Sequence, residues 1–232
     1  MPKRYPPWGQ LGPRAIAEWG LRTQTTSVRV EGLENVPRTG GVMLVARHVH
    51  HLLDGSVIVK HVPRPVHIVV GLDWASDASQ RAWMERACRA AEYPIVLRPP
   101  TLATSTSYSR SELVRYTRGA FRETTRLLGE GRVVLVFPEG YPNVDPTGGR
   151  KAGLDDWLPF ELGYVKMLDL ARRAGADVAV VPIGFHYTAR PNGKYSIFAR
   201  VGKPIAAAAL DPARLERDVR ALSVPRKSEA IA

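Results

Sequence analysis

Val42-Met43-Leu44-Val45-Ala46-Arg47-His48-Val49-His50-His51-Leu52-Leu53-Asp54 is the stretch on which the fold turns. Its first five residues form an apolar run with no polar break. Such a run suits a strand covered on both faces, as in a sheet held between layers of helices. The residues after it carry titratable side chains where the strand ends. Layered α/β sheets gather their sites at the carboxyl edge of the strands. One short segment thus points to an architecture and to a place for chemistry.

The neighbouring sequence agrees. Apolar runs and alternation predict strands over 27–30, 66–70, 95–97, 133–137, 178–182 and 195–201. Helical spacing predicts helices over 78–91, 112–128, 160–173 and 211–222, with glycines at 129, 131 and 175 as stop signals. Residues 101–111, rich in Ser and Thr, and 143–153, with Asp145-Pro146 and Gly148-Gly149, read as loops. Strands alternate with helices along most of the chain. The expected fold class is α/β: a layered, mixed, mostly parallel sheet flanked by helices.

The first 26 residues stand apart. Prolines 2, 6, 7 and 13 punctuate them, and a short helix is expected over 14–22. Trp8 and Trp19 beside Arg14 and Arg22 would suit an interfacial helix on a membrane; packing against the domain's own core is the slightly favoured alternative. Residues 208–232 are expected to hold a last helix and a loose polar tail.

Composition narrows the function. The chain has 232 residues, 33 Lys+Arg against 22 Asp+Glu, and a net charge of +11. A basic surface suits an anionic membrane or a phosphorylated substrate; a mere compositional bias towards arginine is an equally weighted alternative. No nucleic-acid-binding motif accompanies it, so nucleic acid is not an expected partner. The single cysteine, Cys88, excludes an internal disulfide and a cysteine-cluster zinc site. No apolar run approaches the ~20 residues of a membrane-spanning helix. Lys3 and Arg4 are followed by Pro6, Pro7 and Trp8 with no apolar h-region, so no secretory signal is expected. A cytoplasmic protein, attached peripherally to the inner face of the membrane, follows as the expected location.

Three strand ends carry suggestive residues: His48, His50 and Asp54 after strand 42–46, Arg98 after 95–97, and Pro138-Glu139-Gly140 after 133–137. A histidine titrating near neutrality is a natural general base for a hydroxyl, and an aspartate on its far nitrogen would orient it. A protein nucleophile is missing: there is no G-x-S-x-G elbow, and Cys88 falls within a helix. The activated hydroxyl would then belong to a substrate, as in direct acyl transfer from an activated ester. A zinc site built from the histidines and Asp54 is the alternative, but the spacing differs from H-E-x-x-H and no distant fourth ligand is evident. No metal and no cofactor are expected.

With these blocks in place, the chain resembles the glycerolipid acyltransferases typified by 1-acylglycerol-3-phosphate (lysophosphatidic acid) acyltransferase. That family shows N-H-x-x-x-x-D, an apolar segment ending in Arg, F-P-E-G and an apolar V-P strand, in that order. Here stand Arg47-His48…Asp54, Pro94-Ile95-Val96-Leu97-Arg98, Phe137-Pro138-Glu139-Gly140 and Val180-Val181-Pro182-Ile183. Val30-Glu31-Gly32, Phe160-Glu161-Leu162-Gly163 and Val201-Gly202-Lys203-Pro204-Ile205 resemble the family's lead-in, helix start and closing strand. The likeness implies an acyltransferase domain over 27–207. It implies an acyl-CoA or acyl-carrier-protein thioester as donor and a lysophospholipid acceptor. It implies His48 as base, Asp54 as its orienter, Arg98 against the acceptor's phosphate, and Glu139 and Gly140 shaping the acceptor pocket, Glu139 by taking a hydroxyl proton or fixing Arg98.

Four departures stand out, one of them the absence of the family's usual glycine from the second block. One extra residue separates His48 from Asp54, which makes His50 a rival base at i, i+4 from the aspartate. Register from the strand favours His48. Arg47 replaces the usual Asn. Tyr141-Pro142-Asn143 replaces T-R-S, leaving Arg150 or Lys151 to take over from the missing arginine. The alternative readings are a divergent acyltransferase acting on a different alcohol or amine, and a non-catalytic phosphate- or lipid-binding protein.

Overall fold

The computed structural model describes residues 8–75, 77–98, 108–146 and 150–225, with side chains from residue 11 onward. Helix α1 (Trp8–Gln24) leads directly into strand β1 (Thr25–Glu31), and β2 (Gly41–Ala46) follows. Helix α2 (Leu53–His61), β3 (Val66–Ile68), β4 (Val70–Gly71), α3 (Ala78–Ala90) and β5 (Ile95–Val96) come next. Then come α4 (Arg110–Gly129), β6 (Val133–Val136), α5 (Gly163–Arg173), β7 (Val178–Ala189), β8 (Tyr195–Val201), β9 (Ile205–Ala206) and α6 (Pro212–Ser223). Among the described residues, the main sheet has seven strands in the order β1-β8-β7-β2-β6-β3, with β9 also on β7; β4 and β5 pair separately. Strand β2 runs parallel to both β6 and β7, and β3 parallel to β6, so the middle of the sheet is parallel as expected. Among the described residues, antiparallel pairing is confined to β7 with β8 and β9.

The unbroken apolar run of β2 is explained by its position. Val42, Leu44 and Ala46 join the cluster beneath α1 and α2, with Val57, Ile58 and Phe185. Met43 and Val45 join the opposite cluster under α4, α5 and α6, with Leu127, Leu168 and Leu215. Every β2 side chain is fully buried. Truncating Leu44 to Ala would therefore leave a cavity on the scale of about 3 kcal/mol. Gly184 of β7 shows how closely the layers meet: a Cβ there would lie 2.3 Å from the backbone of α6 at Leu222.

Some boundaries differ from the sequence expectation, each for a physical reason. Residues 66–70 do not form one strand; β3 pairs with β6, whereas β4 turns away to pair with β5. Strand β7 continues past Pro182 to Ala189. Pro182 falls where its antiparallel partner changes from β9 to β8, a place where a missing backbone N–H is tolerated. Helix α5 starts at Gly163, because Phe160 is used as a buried residue of the approach and the Glu161 N–H bonds to Pro138 O. The expected loop over 101–111 lies mainly outside the described residues, as do parts of the 143–153 loop and of the C-terminal tail.

Helix α1 is longer than expected and packs on α2. Ala17 and Leu21 are buried, Gly20 faces Leu52, and Glu18 pairs with Lys60 at 3.0 Å. The helix also leaves Leu11, Ile16 and Trp19 more than half exposed. No helix among the described residues is long and apolar enough to cross a membrane.

Candidate active site

The end of β2 delivers Arg47 and His48 to the carboxyl edge of the parallel strands. The chain then turns through 49–52 into α2, whose first turn carries Asp54. Asp54 is fully buried, and its Oδ2 accepts from three directions: His48 Nδ1 at 2.9 Å, Val49 N at 2.6 Å and His50 N at 2.9 Å. Its Oδ1 accepts from the Tyr187 hydroxyl at 2.6 Å. Burial and the adjacent carboxylate hold the Tyr187 phenol well above its ordinary value, so it keeps its proton and donates. The extra residue between His48 and Asp54 is absorbed in this turn, whose amides close on the carboxylate.

The His48 ring stacks on Phe137, with centroids 4.2 Å apart. With Nδ1 on Asp54, the remaining nitrogen is Nε2, and the side chain is 14% exposed. That is the arrangement a general base requires: one nitrogen anchored, the other available.

His50 has a different part. Its backbone N–H reaches Asp54, but its ring does not. The ring Nδ1 instead accepts from Leu52 N and Leu53 N at 3.2 and 3.4 Å, so it caps the start of α2. Burial, with His51 beside it, pushes the imidazole down to about 4. The i, i+4 register that made His50 a rival base brings its main chain, rather than its ring, to the carboxylate.

Glu139 follows the break at Pro138. Gly140 at φ +73° closes the turn, with its N–H on Phe137 O at 3.0 Å. Glu139 Oε1 accepts the His48 N–H at 2.9 Å. Its Oε2 accepts the Leu158 N–H at 3.1 Å and meets Lys151 Nζ at 2.5 Å. The expectation that Glu139 fixes Arg98 is therefore corrected. Arg98 is held by Asp73, with Nε 2.9 Å from both carboxylate oxygens, and by Gly140 O at 2.5 Å. The guanidinium also lies over the Tyr141 ring, 4.0 Å from its centroid. Adjacent residues Glu139 and Gly140 thus touch the two other parts of the site: one binds the His48 main chain, the other the Arg98 side chain.

Arg47, in place of Asn, points inward. It donates to Phe185 O and Leu154 O at 3.1 and 2.5 Å and lies over Trp157 at 4.1 Å. It ties the 150–158 segment to the end of the sheet. Lys151 is equally committed to protein partners, so only Arg150, exposed and 5.3 Å from the Tyr141 ring, remains as a replacement for the missing arginine.

Cys88 lies buried beside Leu72 and Ile95, and burial pushes its thiol up to about 11, so it offers no nucleophile. Among the described residues, no group of three His, Cys, Asp or Glu is arranged to hold a metal ion.

Sequence reasoning missed Asp73 and Tyr187. Asp73 stands just past β4, a carboxylate at a strand end like Glu139. Tyr187 continues the alternation Val181, Ile183, Phe185 beyond the point where the strand was expected to stop. Both signals were present in the sequence.

Residues 27–186 match the family model described as Acyltransferase. Among solved structures, the chain is similar to the 1-acyl-sn-glycerophosphate (LPA) acyltransferase PlsC from Thermotoga maritima. The TM-score is 0.58 and the identity 18%, over 91% of this chain and 77% of that one. At that identity the likeness concerns the fold. No curated protein matches the chain.

Proposed function

The chain belongs to the acyltransferase family, and from that premise we propose that it moves a fatty acyl group from a thioester donor to a hydroxyl of a glycerophospholipid precursor. The donor is acyl-CoA or an acyl-carrier protein. The acceptor is a lysophospholipid such as 1-acylglycerol-3-phosphate, the substrate class in the name of the Thermotoga maritima protein. The observation that carries this reading is the 2.9 Å contact of His48 Nδ1 with buried Asp54, at the carboxyl edge of the sheet.

In this reading His48 Nε2 takes the proton of the acceptor hydroxyl as the oxygen attacks the thioester carbonyl. The C–O bond forms, the tetrahedral intermediate collapses, and the C–S bond breaks. The imidazolium proton leaves with the thiolate. Asp54 holds the imidazole in the right tautomer and stabilises the imidazolium. The amides of 48, 49 and 50 are occupied by carboxylates, so the developing oxyanion draws on a different donor. Arg98, 17% exposed, directs its remaining N–H groups to an acceptor phosphate. The exposed Leu11, Ile16 and Trp19 of α1, with Arg14 and Arg22 on the same helix, support peripheral attachment to an anionic bilayer, where a lipid acceptor resides.

The test is thiol release from acyl-CoA and acyl-carrier protein, against a panel of lysophospholipids, other alcohols and amines. Acceptor-dependent release with a lysophospholipid is expected. Release with an amine or a phosphate-free alcohol alone would replace the acceptor assignment while leaving acyl transfer in place.

A further inference from the structure

We infer that Lys151 is a positioning residue for acyl transfer, acting on the main chain of His48 through its pairing with Glu139. The inference rests on the reading of His48 as the base. It starts from an anomaly. The Lys151 side chain is fully buried, and burying an ammonium costs several kcal/mol unless it is fully partnered. It is fully partnered here. An ammonium has three N–H groups, and Nζ has three acceptors: Glu139 Oε2 at 2.5 Å, His48 O at 2.8 Å and Asn143 Oδ1 at 3.2 Å. Nothing is left over for a phosphate or a thioester.

Two of these contacts close a ring. The His48 N–H bonds to Glu139 Oε1, the His48 C=O bonds to Lys151 Nζ, and Glu139 and Lys151 pair with each other. The two peptide groups flanking the His48 Cα are therefore gripped by opposite members of one ion pair. Asp54 fixes the far end of the side chain at Nδ1. Together the contacts fix the base at both its root and its ring. A base displaced by about 1 Å loses on the order of a hundredfold in rate, so the root is not a trivial place for control.

Charge points the same way. Glu139 and Asp54 are both buried, and both bind amides of the one turn 48–50. Lys151, though burial lowers its pKa, pairs with Glu139 and feels the charge of Asp54, with Arg47 as the other buried cation near Glu139. Asn143 secures the lysine's third bond and is itself anchored to Gly153 O and Asp156 O at 2.5 and 3.0 Å. The segment Tyr141-Pro142-Asn143, which departs from the family's T-R-S, thus supplies part of the lysine's seat.

The experiment is steady-state thiol release by full-length Lys151→Met and Glu139→Gln/Lys151→Met, each with its melting temperature. Lys151→Met should lower kcat at least about tenfold while both KM values stay within about twofold, because the ammonium touches no substrate. The double variant removes both members of the buried Glu139–Lys151 pair, while Arg47 keeps its carbonyl partners and the charge of Asp54, so part of the melting temperature should return but not kcat. If Lys151→Met keeps its kcat, or if kcat recovers together with melting temperature in the double variant, the inference is overturned. Should Lys151→Met fail to fold, the double variant is read against Glu139→Gln alone: a kcat lower in the double variant supports the lysine's hold on His48 O, and equal kcat values overturn it. His48→Ala in the same assay separates the two levels: an active His48→Ala sinks the base assignment, whereas an inactive His48→Ala beside a fully active Lys151→Met sinks only the positioning role.

Discussion

Arg98 lies against Asp73 with Nε 2.9 Å from both carboxylate oxygens and Nη2 2.9 Å from Oδ2. Asp73 is completely buried and Arg98 only 17% exposed, so the guanidinium is aimed before any substrate arrives. For a phosphate-bearing acceptor, Arg98→Ala should raise the acceptor KM about tenfold or more and leave the donor KM nearly unchanged. Asp73→Ala should also raise the acceptor KM and should cost about 3 kcal/mol in urea unfolding, since it strands the arginine. Equal effects of Arg98→Ala on both KM values would contradict the phosphate role.

Tyr187 is the donor to the Asp54 oxygen that faces away from His48. Tyr187→Phe keeps the ring and removes the hydroxyl, leaving a buried carboxylate oxygen without that partner. A loss of about 1–3 kcal/mol in stability is expected, together with a lower kcat. Asp54→Asn should fold and yet lose orders of magnitude in turnover, because the imidazole loses its orienting charge. Melting curves beside thiol-release kinetics measure both. Wild-type kcat in Asp54→Asn would dissolve the dyad.

His50 makes acid sensitivity testable. Its folded value, about 4, lies below the ordinary histidine value of about 6.5, so the unfolded chain binds more protons between those limits. Stability is thus intact above pH ~6.5 and falls as pH drops towards 4. Between pH 7 and 5 this one group accounts for about 2 kcal/mol. Buried His67 is shifted the same way by desolvation and adds to the trend. The groups facing His50 are His51, His48, Asp54 and the Tyr187 and Tyr195 rings, and of the charged ones Asp54 opposes the shift. His50→Asn, which can still cap α2, should lose less melting temperature than wild type between pH 7 and 5. Equal losses would refute the assignment.

Exposed Ile16 and Trp19 on α1 can be changed without disturbing buried Ala17 and Leu21. Ile16→Ser/Trp19→Ser should weaken co-sedimentation with phosphatidylglycerol-containing vesicles about fivefold or more, with stability moved by about 0.5 kcal/mol or less. Undiminished sedimentation would assign α1 to the domain's own packing alone.

The order of strands and helices was legible because the buried parallel strands are short, continuous apolar runs, and β2 with its two parallel neighbours is the plainest case. The positions of His48, Asp54, Arg98 and Glu139 were legible because each sits at or just past such a run. Their partners were less so. Asp73 pairs with Arg98 across 25 residues, Tyr187 with Asp54 across 133, and Lys151 with His48 across 103. No local periodicity encodes such distances; only the sheet order brings the segments together. Which of the two rings meets Asp54 likewise depends on how the turn absorbs its extra residue, through amide hydrogen bonds to the carboxylate.

The measurement that bears most directly on His48 as the base is the kcat of His48→Ala in acyl-CoA thiol release, at saturating acceptor and with an unchanged melting temperature. The account predicts a fall of at least about a hundredfold, the scale of a lost general base. Retention of more than about a tenth of wild-type kcat, ~1.4 kcal/mol in barrier terms, would contradict it.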